Sequence, residues 1–80
     1  MSMSRVSVNG NVYLIYNESQ TFGEPYPVAQ IIYALREIPS NRDIGTLIFL
    51  GTAFGYRLIL KGFHGEQIVS EYTADKVAFS

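Results

Sequence analysis

Gly62-Phe63-His64-Gly65 holds the only imidazole in a chain of 80 residues. One histidine leaves no histidine pair for a metal, and the flanking glycines mark His64 as a turn residue. The seven acids, Glu18, Glu24, Glu37, Asp43, Glu66, Glu71 and Asp75, show neither the pairing that acid–base catalysis uses nor the spacing of a calcium loop. Ser19, Thr21 and Thr46 are hydroxyls with no nucleophile elbow or base nearby in sequence. Gly51-Thr52-Ala53-Phe54-Gly55 has glycines but lacks the lysine and hydroxyl pair of a phosphate loop. The chain has no cysteine. That removes disulfides, thiolate metal sites and cysteine nucleophiles together, and leaves the redox compartment open. The expectation is a protein that is not an enzyme, with no catalytic residues, no metal, no cofactor and no small-molecule substrate.

The next candidate chemistry is base stacking. The longer signature of the RNA recognition motif runs basic, Gly, aromatic, Gly or Ala, aromatic, aliphatic, any, aromatic. Phe54-Gly55-Tyr56 matches its aromatic–glycine–aromatic centre. Thr52 and Ala53 stand where the base and glycine belong, however, and Arg57 replaces the aliphatic. Lys61-Gly62-Phe63 starts the signature again and fails at His64. Val12-Tyr13-Leu14 only loosely matches the shorter motif. About 15 residues after Gly65 cannot supply the second helix and closing strand of that fold. Charge agrees: the formal net charge is −1, whereas a phosphate-tracking protein carries a basic excess. Arg5, Arg57 and Lys61 make a small basic patch only if their strands are neighbours. Nucleic acid is therefore the weaker expectation, and a neutral partner such as another protein the stronger.

Apolar residues make up 48% of the chain and charged ones 16%, the balance of a globular sequence. Residues 1–80 are read as a single domain. A domain this small hides only about 60–65% of the surface its unfolded chain exposes, so most large apolar side chains must be buried somewhere. No apolar run approaches the roughly 18 residues of a membrane span. The start MSMSRVS lacks the basic-then-apolar pattern of a signal peptide, so a cytoplasmic location is expected.

Several elements must position these residues. Arg5 to Val8 and Val12 to Tyr16 are β-prone runs around Asn9-Gly10-Asn11, a strong hairpin signal. A two-residue turn at Asn9-Gly10 places Val6, Val8, Tyr13 and Ile15 on one face. A three-residue loop instead joins Val6 and Val8 to Val12, Leu14 and Tyr16, and its cleaner division of faces favours it. Asn17 to Glu24 reads as a polar loop. Glu24-Pro25-Tyr26-Pro27 then suits a helix start, and Val28, Ile31, Ile32 and Leu35 fall at i, i+3, i+4 and i+7, with Pro39 ending the helix. Ser40 to Gly45 is a polar loop. Thr46 to Leu50 is apolar on both faces, as in a central strand. Phe54 to Lys61 sets Phe54, Tyr56, Leu58 and Leu60 against Arg57, Ile59 and Lys61. Glu66 to Tyr72 is a more polar strand, and the tail from Thr73 is either a further strand or one helical turn capped by Thr73.

The expected fold is α+β, in the order ββαβββ: an antiparallel sheet of four to five strands with one α-helix packed on one face. One helix covers one face, yet Tyr13, Ile15, Leu47, Phe49, Ile59, Phe63 and Val69 indicate that both faces are apolar. Leaving four such side chains exposed forgoes about 6–12 kcal/mol, comparable to the whole stability of a small domain. The bare face should therefore dock on a different protein or on a second copy of the chain, as a homodimer. The expected protein interface carries Tyr13, Ile15, Phe49 and Ile59, with Arg57 and Lys61 at its margin. Phe22 and Tyr26 before the helix form a second contact. In size and lack of chemistry the chain resembles small phage-encoded inhibitors, such as anti-CRISPR proteins, which jam a larger host machine by steric blockade. That resemblance is one of kind and rests on no motif. It implies action in the host cytoplasm.

Overall fold

A computed structural model describes residues 4–22 and 29–80. Seven strands run in chain order: β1 (Ser4–Val8), β2 (Asn11–Phe22), β3 (Ala29–Arg36), β4 (Asp43–Phe49), β5 (Tyr56–Lys61), β6 (Gln67–Tyr72) and β7 (Val77–Phe79), the last preceded by a single 3-10 turn, Ala74–Lys76. They form one sheet in the order β6-β5-β4-β3-β2-β1-β7, and every pairing is antiparallel. The described residues contain no α-helix. The expected α+β fold, with one helix on a sheet of four to five strands, is therefore corrected to a nearly all-β fold.

The helix expected after Pro27 is β3 instead. Positions four apart share a face in a strand as well as in a helix, so Ile31 with Leu35 fits both periods. The strand wins because Ile31, Ile32 and Tyr33 favour extended backbone and because β3 is hydrogen-bonded on both sides, to β2 and β4. Half-burial of Ile31, Ile32, Tyr33 and Ala34 and full burial of Leu35 follow from that central place. Pro25, Tyr26, Pro27 and Val28 lie outside the described residues. The polar run expected as a loop after Asn17 is strand as far as Phe22. Its backbone pairs with β3, while residues 17–20 stay exposed. A bulge between Ile15 and Asn17 separates this polar half of β2 from its apolar half.

The first hairpin uses the two-residue turn. Val8 pairs with Asn11 and Val6 with Tyr13, and both turn residues have positive φ, 49° at Asn9 and 90° at Gly10, as a type I′ turn requires. The three-residue loop is thereby overturned: Val6 and Val8 share a face with Tyr13 and Ile15.

Chain connectivity forces the sheet to curl. Laid flat, β6 and β7 would stand six strand spacings apart, about 29 Å. Tyr72 and Val77 are joined by only four residues, Thr73 to Lys76, which span at most about 18 Å. The two edges must therefore approach, and the sheet rolls into a half-barrel. Ring contacts record the curl. Phe79 of β7 lies 5.1 Å from Tyr33 of β3 and 6.1 Å from Tyr56 of β5. The tail is tied down by reciprocal bonds: Arg5 N–H donates to the Ser80 carbonyl (3.0 Å) and Ser80 N–H to that of Arg5 (2.9 Å). Inside the curl, Val6, Val8, Leu35, Leu47 and Leu58 form the buried core, with Tyr13, Ile15, Tyr33, Tyr56, Leu60, Tyr72 and Val77 packed against it.

Candidate functional site

Strand register sorts every side chain between the inside and outside of the curl. On the concave side lie Tyr13 and Ile15, which pack on the core, and Phe49, whose ring sits 5.1 Å from that of Tyr56. On the convex side lie Arg57, Ile59 and Lys61, opposite Glu71, Val69 and Gln67 respectively. The expected interface is thus divided between two faces. Phe22 closes β2, where its backbone pairs with Ala29, and Tyr26 lies outside the described residues.

What the convex side does bring together is an apolar patch. Ile32 faces Ile48 across β3 and β4, and Ala34 faces Thr46. Thr46 in turn faces Ile59, and Ile59 faces Val69. These residues are half-buried by their strand neighbours, except Val69, which is 54% exposed. No described element packs over them, since the described residues form a single sheet.

Two ion pairs flank the patch. The Arg57 guanidinium donates to the Glu71 carboxylate at 2.8 and 3.0 Å, and the Lys61 ammonium donates to Asp43 at 2.9 Å. The Lys61 hydrogen bond and charge hold the Asp43 carboxyl below its ordinary range. Farther along, the Arg36 guanidinium lies 3.5 Å over the Tyr16 ring, a cation–π contact across β2 and β3. Sequence reasoning found Arg57, Ile59 and Lys61 but missed Ile32, Ile48 and Val69 as a group. Recognising that group needs the register of four strands, which no local pattern carries. It also missed Tyr16 with Arg36, having placed Arg36 on a helix.

The sites considered for chemistry fall as follows. His64 sits exposed in the turn before β6, where its backbone N–H donates to the Glu66 carboxylate at 3.1 Å. Among the described residues no three His, Cys, Asp or Glu side chains gather closely enough to hold a metal ion. Ser40 and then Arg42 hold the Glu37 carboxyl low, and a hydroxyl bond from Thr73 does the same for Asp75. These are ionised surface acids, without the raised value of a general acid. Burial pushes the tyrosines at 13, 33 and 56 upward, with Glu18 adding to the effect at Tyr33.

Phe54 and Tyr56 of Phe54-Gly55-Tyr56 do not share a face. Gly55, at φ 78°, breaks the alternation, so Phe54 stays in the turn, 56% exposed, while Tyr56 packs inside. Arg5 belongs to β1 and lies four strands from β5, so it makes no patch with Arg57 and Lys61. Among the described residues no helix is long and apolar enough to cross a membrane. No family model, curated protein or solved structure matches the chain.

Proposed function

We propose that this chain is a non-catalytic interaction protein that docks its convex sheet face on a protein partner. The observation that supports the reading is the apolar patch of Ile32, Ile48, Ile59 and Val69, on the side of the sheet that no described element covers. Apolar groups at the centre with charged pairs at the rim is the arrangement of protein interfaces. Arg57 and Lys61 already engage carboxylates, so the flanking cations are partly neutralised. That favours a protein surface over a phosphate backbone, which rewards unneutralised basic groups. A rigid, catalytically inert face of this kind also suits a steric inhibitor of a larger machine.

The test pairs capture with substitution. The intact chain, immobilised, retains a stoichiometric protein partner from its native host, and Ile48→Lys or Ile59→Lys lowers that retention at least ten-fold. Val12→Lys, on the same side but outside the patch, leaves it unchanged. Retention indifferent to both patch substitutions overturns the reading. So does a light-scattering mass that rises on adding a single-stranded oligonucleotide and falls back as salt is raised. That outcome belongs to a nucleic-acid-binding sheet.

A further inference from the structure

The sheet ends in two edges that are protected very differently. At β7 the edge is three residues long and follows directly on the 3-10 turn. At β6 it is six residues long, in unbroken register with β5, and no strand lies on its other side among the described residues. Natural edges are blunted by proline, lysine, a bulge or shortness. The β6 sequence Gln-Ile-Val-Ser-Glu-Tyr uses none of these; its one charge, Glu71, is engaged by Arg57 of β5, and Ile68 and Val69 on it are 52% and 54% exposed. Its outward N–H and C=O groups form a template for one more strand.

We infer that β6 pairs antiparallel with β6 of a second copy of this chain, about a two-fold axis at Val69. The convex-side residues of the strand, which carry its charge, favour that occupant and that register. A two-fold axis normal to the sheet keeps each residue on its own face, so opposed residue numbers must sum to an even value. Centred on Val69, the pairing sets Val69 against its own counterpart and Gln67 against Glu71, twice. Each Gln67 amide then donates to a carboxylate of the other copy. Along the convex side the row reads Lys61, Gln67, then Glu71 and Arg57 of the second copy, so each Glu71 lies between a cation and an amide donor. Centred one residue later, Val69 would oppose Glu71 on both sides, pairing an apolar group with a charge. Opposed pairs of matched chemistry are what stabilises a strand pairing. The dimer uses the strand edge and shares only Val69 with the docking patch; docking is tested at Ile48 and Ile59 and the dimer by self-association and at Gln67, so either can fail alone.

Sedimentation velocity of the full chain over a concentration series tests it. The expected mass rises from one chain towards two, and amides of β6 exchange more slowly as concentration rises. Val69→Lys sets two ammonium groups across the axis and weakens the dimer at least ten-fold. Gln67 is exposed, so its substitution leaves the fold alone even where Val69→Lys does not. Gln67→Glu weakens the dimer several-fold by facing Glu71 of the second copy, although it improves contact with Lys61 in its own chain. Gln67→Lys tightens it several-fold, although it sets like charges side by side within the chain. A monomer at every concentration, a dimer none of the three alters, or a dimer that Gln67→Glu tightens and Gln67→Lys weakens overturns the inference. Ile48→Lys, which tests the docking face, leaves the dimer intact.

Discussion

Leu47 and Ile48 are chain neighbours of similar size, yet they live in different solvents. Leu47 points into the curl and is fully buried among Val6, Leu35 and Leu58. Ile48 points out, between Ile32 and Arg57, and is only half-buried. The same contrast runs along the whole sheet. A single layer of strands can shelter one face by rolling up, and it does so on the concave side, with Phe79 of the last strand reaching Tyr33 and Tyr56. Rolling cannot shelter the other face. Expecting a helix to cover one side was wrong, and Tyr13, Ile15 and Phe49, expected on the bare face, lie inside the curl; the apolar groups that no described element covers are Ile32, Ile48, Ile59 and Val69.

The sharpest way to break this contrast is to truncate both neighbours. Leu47→Ala should cost about 2–5 kcal/mol, the range for a buried leucine whose site cannot collapse. Ile48→Ala should cost about 1 kcal/mol or less, as substitutions away from the core do. Urea unfolding of the two variants measures the difference. Equal losses would mean that both faces are core.

A second test bears on how the curl is held. The Gly55 amide has φ 78°, and a Cβ there would overlap the Tyr72 carbonyl oxygen at the end of β6. Gly55→Ala should therefore cost about 1–3 kcal/mol through an unfavourable backbone well and a collision with fixed backbone. In thermal melts each kcal/mol shifts the midpoint by about 4–8 °C for a domain of this size. Gly10→Ala is the control for geometry without collision, since Gly10 also has positive φ but its Cβ would meet nothing within 4 Å. Phe79→Ala should cost about 1–2 kcal/mol, since the residue is 42% exposed but its ring bridges β7 to two strands across the curl.

Legibility in the sequence followed the range of the interactions involved. Asn9-Gly10 announced its hairpin because a two-residue turn is decided locally, although choosing between two and three loop residues needed the pairing of Val8 with Asn11. The alternation of Tyr56, Leu58 and Leu60 against Arg57, Ile59 and Lys61 was legible for the same reason. Residues 29–36 were not, because their apolar spacing satisfies both periods and only the flanking strands decide between them. Val77–Phe79 is a strand solely because β1 lies beside it, so three residues of tail could not announce it. Of the convex patch, Ile59 was legible as an outward apolar group. Its contact with Val69 and its link through β4 to Ile32 were not, being matters of register.

The two faces should also respond differently to pH. The tyrosines at 13, 33 and 56 face the curl, and burial raises each above its ordinary value. In the unfolded chain they ionise near 10. Below that pH both states hold the proton and the stabilisation is complete. Above it the unfolded state loses protons first, so stability falls as pH climbs through the folded values. Urea midpoints should therefore decline from about pH 10 upward, and replacing Tyr13 or Tyr33 with Phe should flatten the decline. A decline unchanged in both variants would leave Tyr56 as the source within the curl, and one unchanged in Tyr56→Phe as well would place its cause outside these three rings.

The smallest effect belongs to the convex rim. Arg57 and Glu71 face each other across β5 and β6, two guanidinium N–H groups donating to the one oxygen Oε2, but the Glu71 side chain is 57% exposed. Exposed pairs contribute about 0.2–1 kcal/mol, and salt screens them. A double-mutant cycle of Arg57→Ala and Glu71→Ala should return a coupling in that range that shrinks as ionic strength rises. Together with the Leu47 truncation it separates the faces by the kind of free energy each contributes. On the concave side the loss is large and insensitive to salt, because water is already excluded. On the convex side it is small and salt-dependent, because the charges remain hydrated. A coupling well above 1 kcal/mol that salt leaves unchanged would mean that the rim is already desolvated, so that the convex face is covered in solution even without a separate docking protein.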